Sequence, residues 1–376
     1  MSRIRIVYLI TGLHGGGAET MLFHLLRGLD RERFDPVVIS LMDQGKLGGA
    51  IEALGVPVHT IGLRQGRPTP GAFFRLVKLA RAAHPQIIQG WMYHSNLAAQ
   101  LVRLFVRARV CWCIQNSFHS FAAEKPLTRL TVRLLARLSR FAAKIVFVSY
   151  ASRAQHEQLG FAHDRGCVIP NGADPVLFQP SAAARQSVRE ELGLAPDAQL
   201  IGLIGRYHPQ KDHATFIRAA GLLARSRPDV HFVLAGAGVD RSNAALAEHL
   251  RTLAPDARVH LLGERSDMPR LTAALDIATS SSSYGEALSL AVVEAMACAV
   301  PCVVTDVGDS ALLVGKTGVA VPPAAAAALA AGWERLLSAG PEARREFGEA
   351  ARRRAEENYS VSSIVRRYEE IYLALN

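Results

Sequence analysis

The stretch SSSSYGEALSLAVVEAMACAVPCVVTDVG, residues 280–308, decides how the chain is read. Four serines and Gly285 are loop chemistry, and a run of helix-forming residues follows them. Glu286 and Glu294 stand eight residues apart, the first expected at a loop-to-helix junction and the second two turns in. At 100° per residue, eight positions return to within about 80° of the starting direction, so both carboxylates can line one side of a cleft. Residues 303–304 read as a strand and 307–308 as the turn after it. Together these make a βαβ unit, whose loops gather at the carboxyl ends of its strands. Two glutamates on a helix are more often a solvated face than a site. Here Ala291, Val292, Val293, Ala295, Met296 and Ala297 surround Glu294, where an acid is costly unless something polar binds it.

Outward from this stretch, apolar runs and helical patterns alternate along the whole chain. Strands are expected at 4–10, 37–41, 56–61, 87–91, 110–115 and 145–149, with a strand and turn at 168–174. Residues 64–70 read as a turn-rich loop, and 181–198, with Pro180 and Pro196 at either end, as a crossing segment. Strands resume at 200–204, 230–235, 259–262 and 277–279; 321–338 and 342–375 read as helical. Such alternation predicts parallel sheets. A length of 376 residues exceeds the usual size of one core and predicts two domains. The expected fold is α/β, two Rossmann-like domains with parallel sheets facing each other across a cleft. Residues 1–180 would form the first domain and 196–355 the second, with a C-terminal helix at 356–376 packing back on the first.

With 49% hydrophobic and 20% charged residues, the composition is that of an ordinary soluble globular protein. No signal-peptide pattern opens the chain, and no apolar run reaches the ~18 residues needed to cross a bilayer. Cys111, Cys113, Cys167, Cys298 and Cys302 have no metal-ligand spacing and read as free thiols in a reducing cytoplasm. Charge is uneven. Residues 1–180 hold 22 lysines and arginines against 10 acids, and the rest 21 against 23, so the net +10 belongs to the first half. An anionic partner for that half follows. Its most arginine-rich segment is 127–144, where Leu127, Leu130, Leu134, Leu138 and Phe141 recur at helical spacing beside Arg129, Arg133, Arg137, Arg140 and Lys144. That pattern fits a core-packed helix with a solvated flank. It also fits an amphipathic helix on an anionic membrane surface.

Gly15, Gly16 and Gly17 lie between the first strand and its helix, where backbone N–H groups can approach a phosphate. A tight turn explains them equally well, and the spacing is not G-x-G-x-x-G. Arg206 and Lys211 lie in a strand-to-helix loop at the same sheet end as Glu286, and a guanidinium with an ammonium suits a diphosphate. No Asp-x-Asp pair occurs, so the common carboxylate clip for a phosphate-bound divalent ion is missing and fixed cations would stabilise the departing charge.

In combination, Gly16-Gly17-Ala18-Glu19, Gly205-Arg206 with Lys211-Asp212, the Glu286-x₇-Glu294 pair and Asp306-Val307-Gly308 resemble glycosyltransferase family 4 in motif order. The resemblance runs from Ile4 to about Pro322 and is strongest to bacterial enzymes of surface-polysaccharide synthesis. It implies the GT-B fold, a retaining mechanism, a nucleotide-sugar donor and no metal or other cofactor. On that basis Glu294 would hold the ribose hydroxyls, and Glu286 the donor sugar. Arg206 and Lys211 would bind the diphosphate, helped by backbone amides at Gly16-Gly17 and Ser289-Leu290. Gln115-Asn116 stand where many members carry a histidine, leaving His94 and His119 as substitutes. Ala287 and Ala299 stand where glycine is frequent.

The function so implied is transfer of a sugar from a nucleotide sugar, most readily a UDP-sugar, to a lipid-linked saccharide at the cytoplasmic membrane face, without nucleic acid. Two other readings use parts of the same sequence. A dinucleotide oxidoreductase would place residues 12–17 on a pyrophosphate and Asp43 on a ribose. A non-catalytic polyanion- or membrane-binding protein would use the charge alone.

Overall fold

A computed structural model describes residues 3–63, 69–118, 120–255 and 257–376. Most of the loop read at 64–70 lies outside them, as does His119. The chain forms two compact units, residues 1–171 with 361–376, and residues 172–360.

The first unit opens with β1 (Ile4–Ile10), α1 (Gly17–Gly28), β2 (Phe34–Ser40), α2 (Gly48–Ala53) and β3 (Val58–Thr60). It continues through α3 (Pro70–Ala82), β4 (Ile87–Trp91), α4 (Tyr93–Val102) and β5 (Arg109–Ile114). α5 (Pro126–Leu138), β6 (Lys144–Phe147), α6 (Tyr150–Gln158) and β7 (Gly166–Val168) complete the run. The seven strands form one parallel sheet in the order β3-β2-β1-β4-β5-β6-β7. Both its faces are covered, so β1 and β4 are nearly continuous apolar runs.

In the second unit, α7 (Ala182–Glu191) precedes β8 (Leu200–Ile204), α8 (His213–Ala224), β9 (His231–Ala235), α9 (Ala244–Leu253) and β10 (Arg258–Leu261). Then come α10 (Met268–Ala273), β11 (Ile277–Ser280), α11 (Leu290–Ala297), β12 (Cys302–Thr305), α12 (Ser310–Val314) and β13 (Gly318–Val321). α13 (Ala326–Ser338) and α14 (Gly340–Tyr359) close this unit, and α15 (Val361–Ala374) belongs to the first. The second sheet is also parallel, ordered β10-β9-β8-β11-β12-β13.

Several elements differ from the sequence expectation. The crossing segment 181–198 contains α7, capped by Ser181, whose Oγ accepts from Ala184 N–H at 3.1 Å. α7 buries Arg189, which donates to Asp276 Oδ2 at 2.8 Å and to the Ala198 and Ala274 carbonyls. A charged core residue hid this helix from hydrophobic periodicity. The helix read over 342–375 breaks at Ser360, which is extended. Ala173 N–H donates to the Tyr359 carbonyl at 2.9 Å there, and α15 then buries Ile364, Val365, Tyr368 and Tyr372 in the first unit's core.

α5 is the largest correction. Its core face is Thr131, Val132, Leu135 and Ala136. Leu127, Leu130 and Leu134 point outward, 51%, 64% and 40% exposed, with Phe141 exposed beyond them. The helix is core-packed, as one of the two readings had it, but on another face: of the stripe, Leu138 packs against the core and the rest does not. Among the described residues, no helix is long and apolar enough to cross a membrane. All five cysteines are free, four of them buried.

Candidate active site

In each sheet, successive strands are added to one side and then to the other. The reversal falls between β1 and β4 in the first unit and between β8 and β11 in the second. Such a switch point opens a crevice at the carboxyl ends of the strands, because the connections on either side diverge. The second unit's switch point holds Arg206 and Lys211 after β8, and Glu286 after β11.

Lys211 Nζ and Glu286 Oε2 form a close ion pair across this point. Ser282 Oγ donates to the same carboxylate oxygen at 2.9 Å. Glu286 is 8% exposed, and the pair and the hydroxyl offset the cost of burying its charge. The two loops are stitched by the backbone. Ser281 Oγ donates to the Lys211 carbonyl at 2.7 Å, and Ser283 N–H to the Gln210 carbonyl at 2.9 Å. Thr305 Oγ1, at the end of β12, donates to the Ser282 carbonyl at 2.6 Å. Asp212, at φ 47°, caps α8 through Thr215 N–H at 3.1 Å, fixing the turn that carries Lys211. Gly308 completes the loop floor. A Cβ on it would lie 1.9 Å from the Glu286 carbonyl oxygen, so no other residue permits this approach.

Glu286 is not on the helix. α11 begins at Leu290, so the expected rotational relation between the two acids does not apply; the serine-rich loop extends through Ser289. Glu294 lies mid-helix, and desolvation by its apolar neighbours raises its carboxyl pKa from 4.5 to about 8. Ser289 and Leu290 form the helix start, without a side-chain cap. Arg206 is exposed, five residues before Lys211. His208 lies between them, its pKa lowered by desolvation and then by the charges of Arg206 and Lys211. The three bases therefore share one electropositive patch.

In the first unit, the switch point brings the glycine loop beside the start of α4. Gly16 is the N-cap of α1, Gly17 its first residue, and both are exposed. Trp91 Nε1 donates to the Ala18 carbonyl at 2.9 Å, and Thr11 Oγ1 lies 3.2 Å from Ser95 Oγ. His94 is the second residue of α4, exposed at its tip, with its pKa lowered by desolvation. Gln115, at the end of β5, donates through Nε2 to Cys113 Sγ at 3.1 Å.

Sequence reasoning missed Ser281, Ser282, Thr305 and His208. The serine run was legible only as loop chemistry, since nothing in its spacing shows which hydroxyl turns back onto Glu286 within the same loop.

Two parallel-sheet α/β units, each with a switch point at the carboxyl ends of its strands, match the GT-B class of glycosyltransferases. Residues 15–177 match the model of the family described as Glycosyltransferase Family 4, and residues 198–339 that of Glycosyl transferases group 1. The chain belongs to this family and is a glycosyltransferase. The protein named as glycosyltransferase EpsF of Bacillus subtilis is 27% identical over 81% of this chain and 80% of its own length. An Escherichia coli protein, UDP-Gal:alpha-D-GlcNAc-diphosphoundecaprenol alpha-1,3-galactosyltransferase, is 28% identical over 59% of this chain and 58% of that one. A D-inositol 3-phosphate glycosyltransferase of Mycolicibacterium gilvum is 36% identical over 38% of this chain but only 31% of its own length. Among solved structures, Anabaena Alr3699/HepE in complex with UDP and glucose superposes with a TM-score of 0.83 at 24% identity, over 99% of this chain and all of that one. A glycosyltransferase from Rickettsia africae gives 0.84 at 17%, over 100% of this chain and 99% of that one. These likenesses end the oxidoreductase and non-catalytic readings.

Proposed function

We propose that the protein transfers a sugar, with retention of anomeric configuration, from a UDP-sugar to a lipid-linked saccharide in cell-surface polysaccharide synthesis. The carrying observation is the Lys211–Glu286 pair across the β8/β11 switch point, beside Arg206 and His208. Arg206 and Lys211 neutralise the diphosphate as it departs, and fixed charges do so without reorganising. Glu286, oriented by Lys211 and Ser282, receives the donor sugar's hydroxyls. Glu294 accepts the ribose hydroxyls, which replace the hydration its carboxylate lacks. The amides of Ser289-Leu290 complete the diphosphate's partners in the second unit; in the first, the amides of Gly16-Gly17 are open to a phosphate and His94 serves the acceptor side. The acceptor oxygen attacks C1 on the face from which the diphosphate leaves. As the C1–O bond to phosphate breaks, the acceptor proton passes to the leaving phosphate oxygen.

The relatives' names motivate the donor and the acceptor class: a diphosphoundecaprenol acceptor for one, UDP and glucose in the HepE complex for another. The outward leucines of α5, flanked by Arg133, Arg137 and Arg140, suit the anionic cytoplasmic face of a membrane on which such an acceptor resides. A thermal-shift panel of UDP-, GDP- and ADP-sugars tests the donor. A shift with UDP-sugars alone is expected, because a ligand of the folded state stabilises it. No shift with any of them would reject the reading.

A further inference from the structure

The first unit contains a cavity of about 750 Å³, at the carboxyl end of its sheet and walled by α3, α4 and α5. That volume is of the size that encloses a drug-sized ligand. Leu41, Met42, Ile61, Phe73, Leu76 and Leu97 are representative of its lining. Of the four threonines in the lining, three already have hydrogen-bond partners. Thr69 Oγ1 accepts from Ala72 N–H at 3.3 Å, Thr131 Oγ1 donates to the Leu127 carbonyl at 2.9 Å, and Thr11 Oγ1 is 3.2 Å from Ser95 Oγ. A saccharide buried here would lose hydrogen bonds to water without replacement. A hydrocarbon would not.

Among the described residues, the lining carries one fixed charge, Lys125, and no carboxylate; His94 is the other titratable group, held toward its neutral form by desolvation. Leu101 and Leu127 line the cavity and are also exposed, 40% and 51%. From them apolar surface continues outward through Leu104 on one side and Leu130 and Leu134 on the other. An apolar chamber with one cation and an apolar path leading from it matches a single hydrocarbon chain ending in a phosphate.

Resting on the reading of a lipid-linked acceptor, we propose that this cavity holds the phosphate-proximal part of the acceptor's hydrocarbon chain, with Lys125 against its phosphate. The cavity then selects the acceptor by its lipid, separately from donor recognition in the second unit.

Binding of farnesyl phosphate to the full chain, followed by calorimetry below its micelle concentration, tests this. Inorganic phosphate is the head-only probe and UDP the donor-side control. Farnesyl phosphate should bind and inorganic phosphate should not. Ala98→Trp, which fills the cavity from α4, should weaken farnesyl phosphate at least about tenfold while leaving the UDP response intact. Lys125→Gln should weaken farnesyl phosphate but not farnesol. Should Ala98→Trp fail to fold, Leu101→Gln at the exposed rim makes the same test and should also weaken binding. UDP binding without farnesyl phosphate binding, or equal affinity in wild type and a folded cavity variant, overturns the cavity assignment alone. Loss of response to every nucleotide sugar as well rejects the glycosyltransfer reading beneath it.

Discussion

Glu294→Gln separates what the carboxyl does to the fold from what it does for the ligand. Glu294 ionises near 4.5 in the unfolded chain and at about 8 in the folded one. Between those values the folded state holds a proton that the unfolded state has lost, so stability is greatest below pH 4.5 and falls as pH rises toward 8. At about 1.4 kcal/mol per unit, the loss accumulated by neutral pH has a ceiling of about 3 kcal/mol. Glutamine keeps the shape and removes the proton equilibrium. Urea unfolding of both proteins should show wild type and variant equal near pH 4.5. The variant should gain on wild type by up to about 3 kcal/mol on approaching neutrality. UDP affinity measured above pH 8, where Glu294 is ionised, should move the opposite way, falling about tenfold in Glu294→Gln, because a neutral amide accepts the ribose hydrogen bonds less strongly than a carboxylate. Parallel stability-against-pH curves for the two proteins would refute the burial argument. Unchanged UDP affinity would remove Glu294 from the nucleotide site.

Other perturbations follow from named geometry. Lys211→Ala leaves the buried Glu286 carboxylate with only Ser282, and should lower stability by roughly 3 kcal/mol and turnover more than donor affinity. An unchanged melting temperature would contradict the pairing. Ala299 sits at φ 56° in the turn that ends α11, where Ala299 N–H donates to the Met296 carbonyl and Val300 N–H to that of Ala295, both at 3.0 Å. A left-handed residue there favours glycine, so Ala299→Gly should stabilise by about 1 kcal/mol in thermal unfolding. Replacing Leu130 and Leu134 together by Gln should leave the melting temperature within about a degree while reducing sedimentation with anionic liposomes severalfold, since these side chains point outward. Undiminished sedimentation would exclude α5 as the membrane-facing element.

The alternation of strands and helices was legible because buried parallel strands are plain apolar runs: β1, β4 and β8 fall where the sequence puts them. β13 was not, for Gly318–Val321 is a short, partly exposed strand beside an alanine-rich helix. α7 was hidden by Arg189, whose burial depends on Asp276, distant in sequence. α5 misled in the opposite direction, since its leucines repeat at helical spacing while Val132 and Leu135 do the packing. In the site, Lys211, Glu286 and Glu294 were legible as charges in unusual company. The Lys211–Glu286 geometry was not, because it joins loops from two strands distant in sequence and depends on Thr305 of a third strand holding the Ser282 carbonyl.

In the proposed reaction, fixed cations of the second unit, unaided by a divalent ion, hold the diphosphate. Calorimetric titration of UDP in excess EDTA tests it most directly, with wild type beside Arg206→Ala. Wild type should bind UDP with the same affinity with or without EDTA, and Arg206→Ala should bind at least about tenfold more weakly. Loss of wild-type binding in EDTA, or equal affinity in the two proteins, would contradict it.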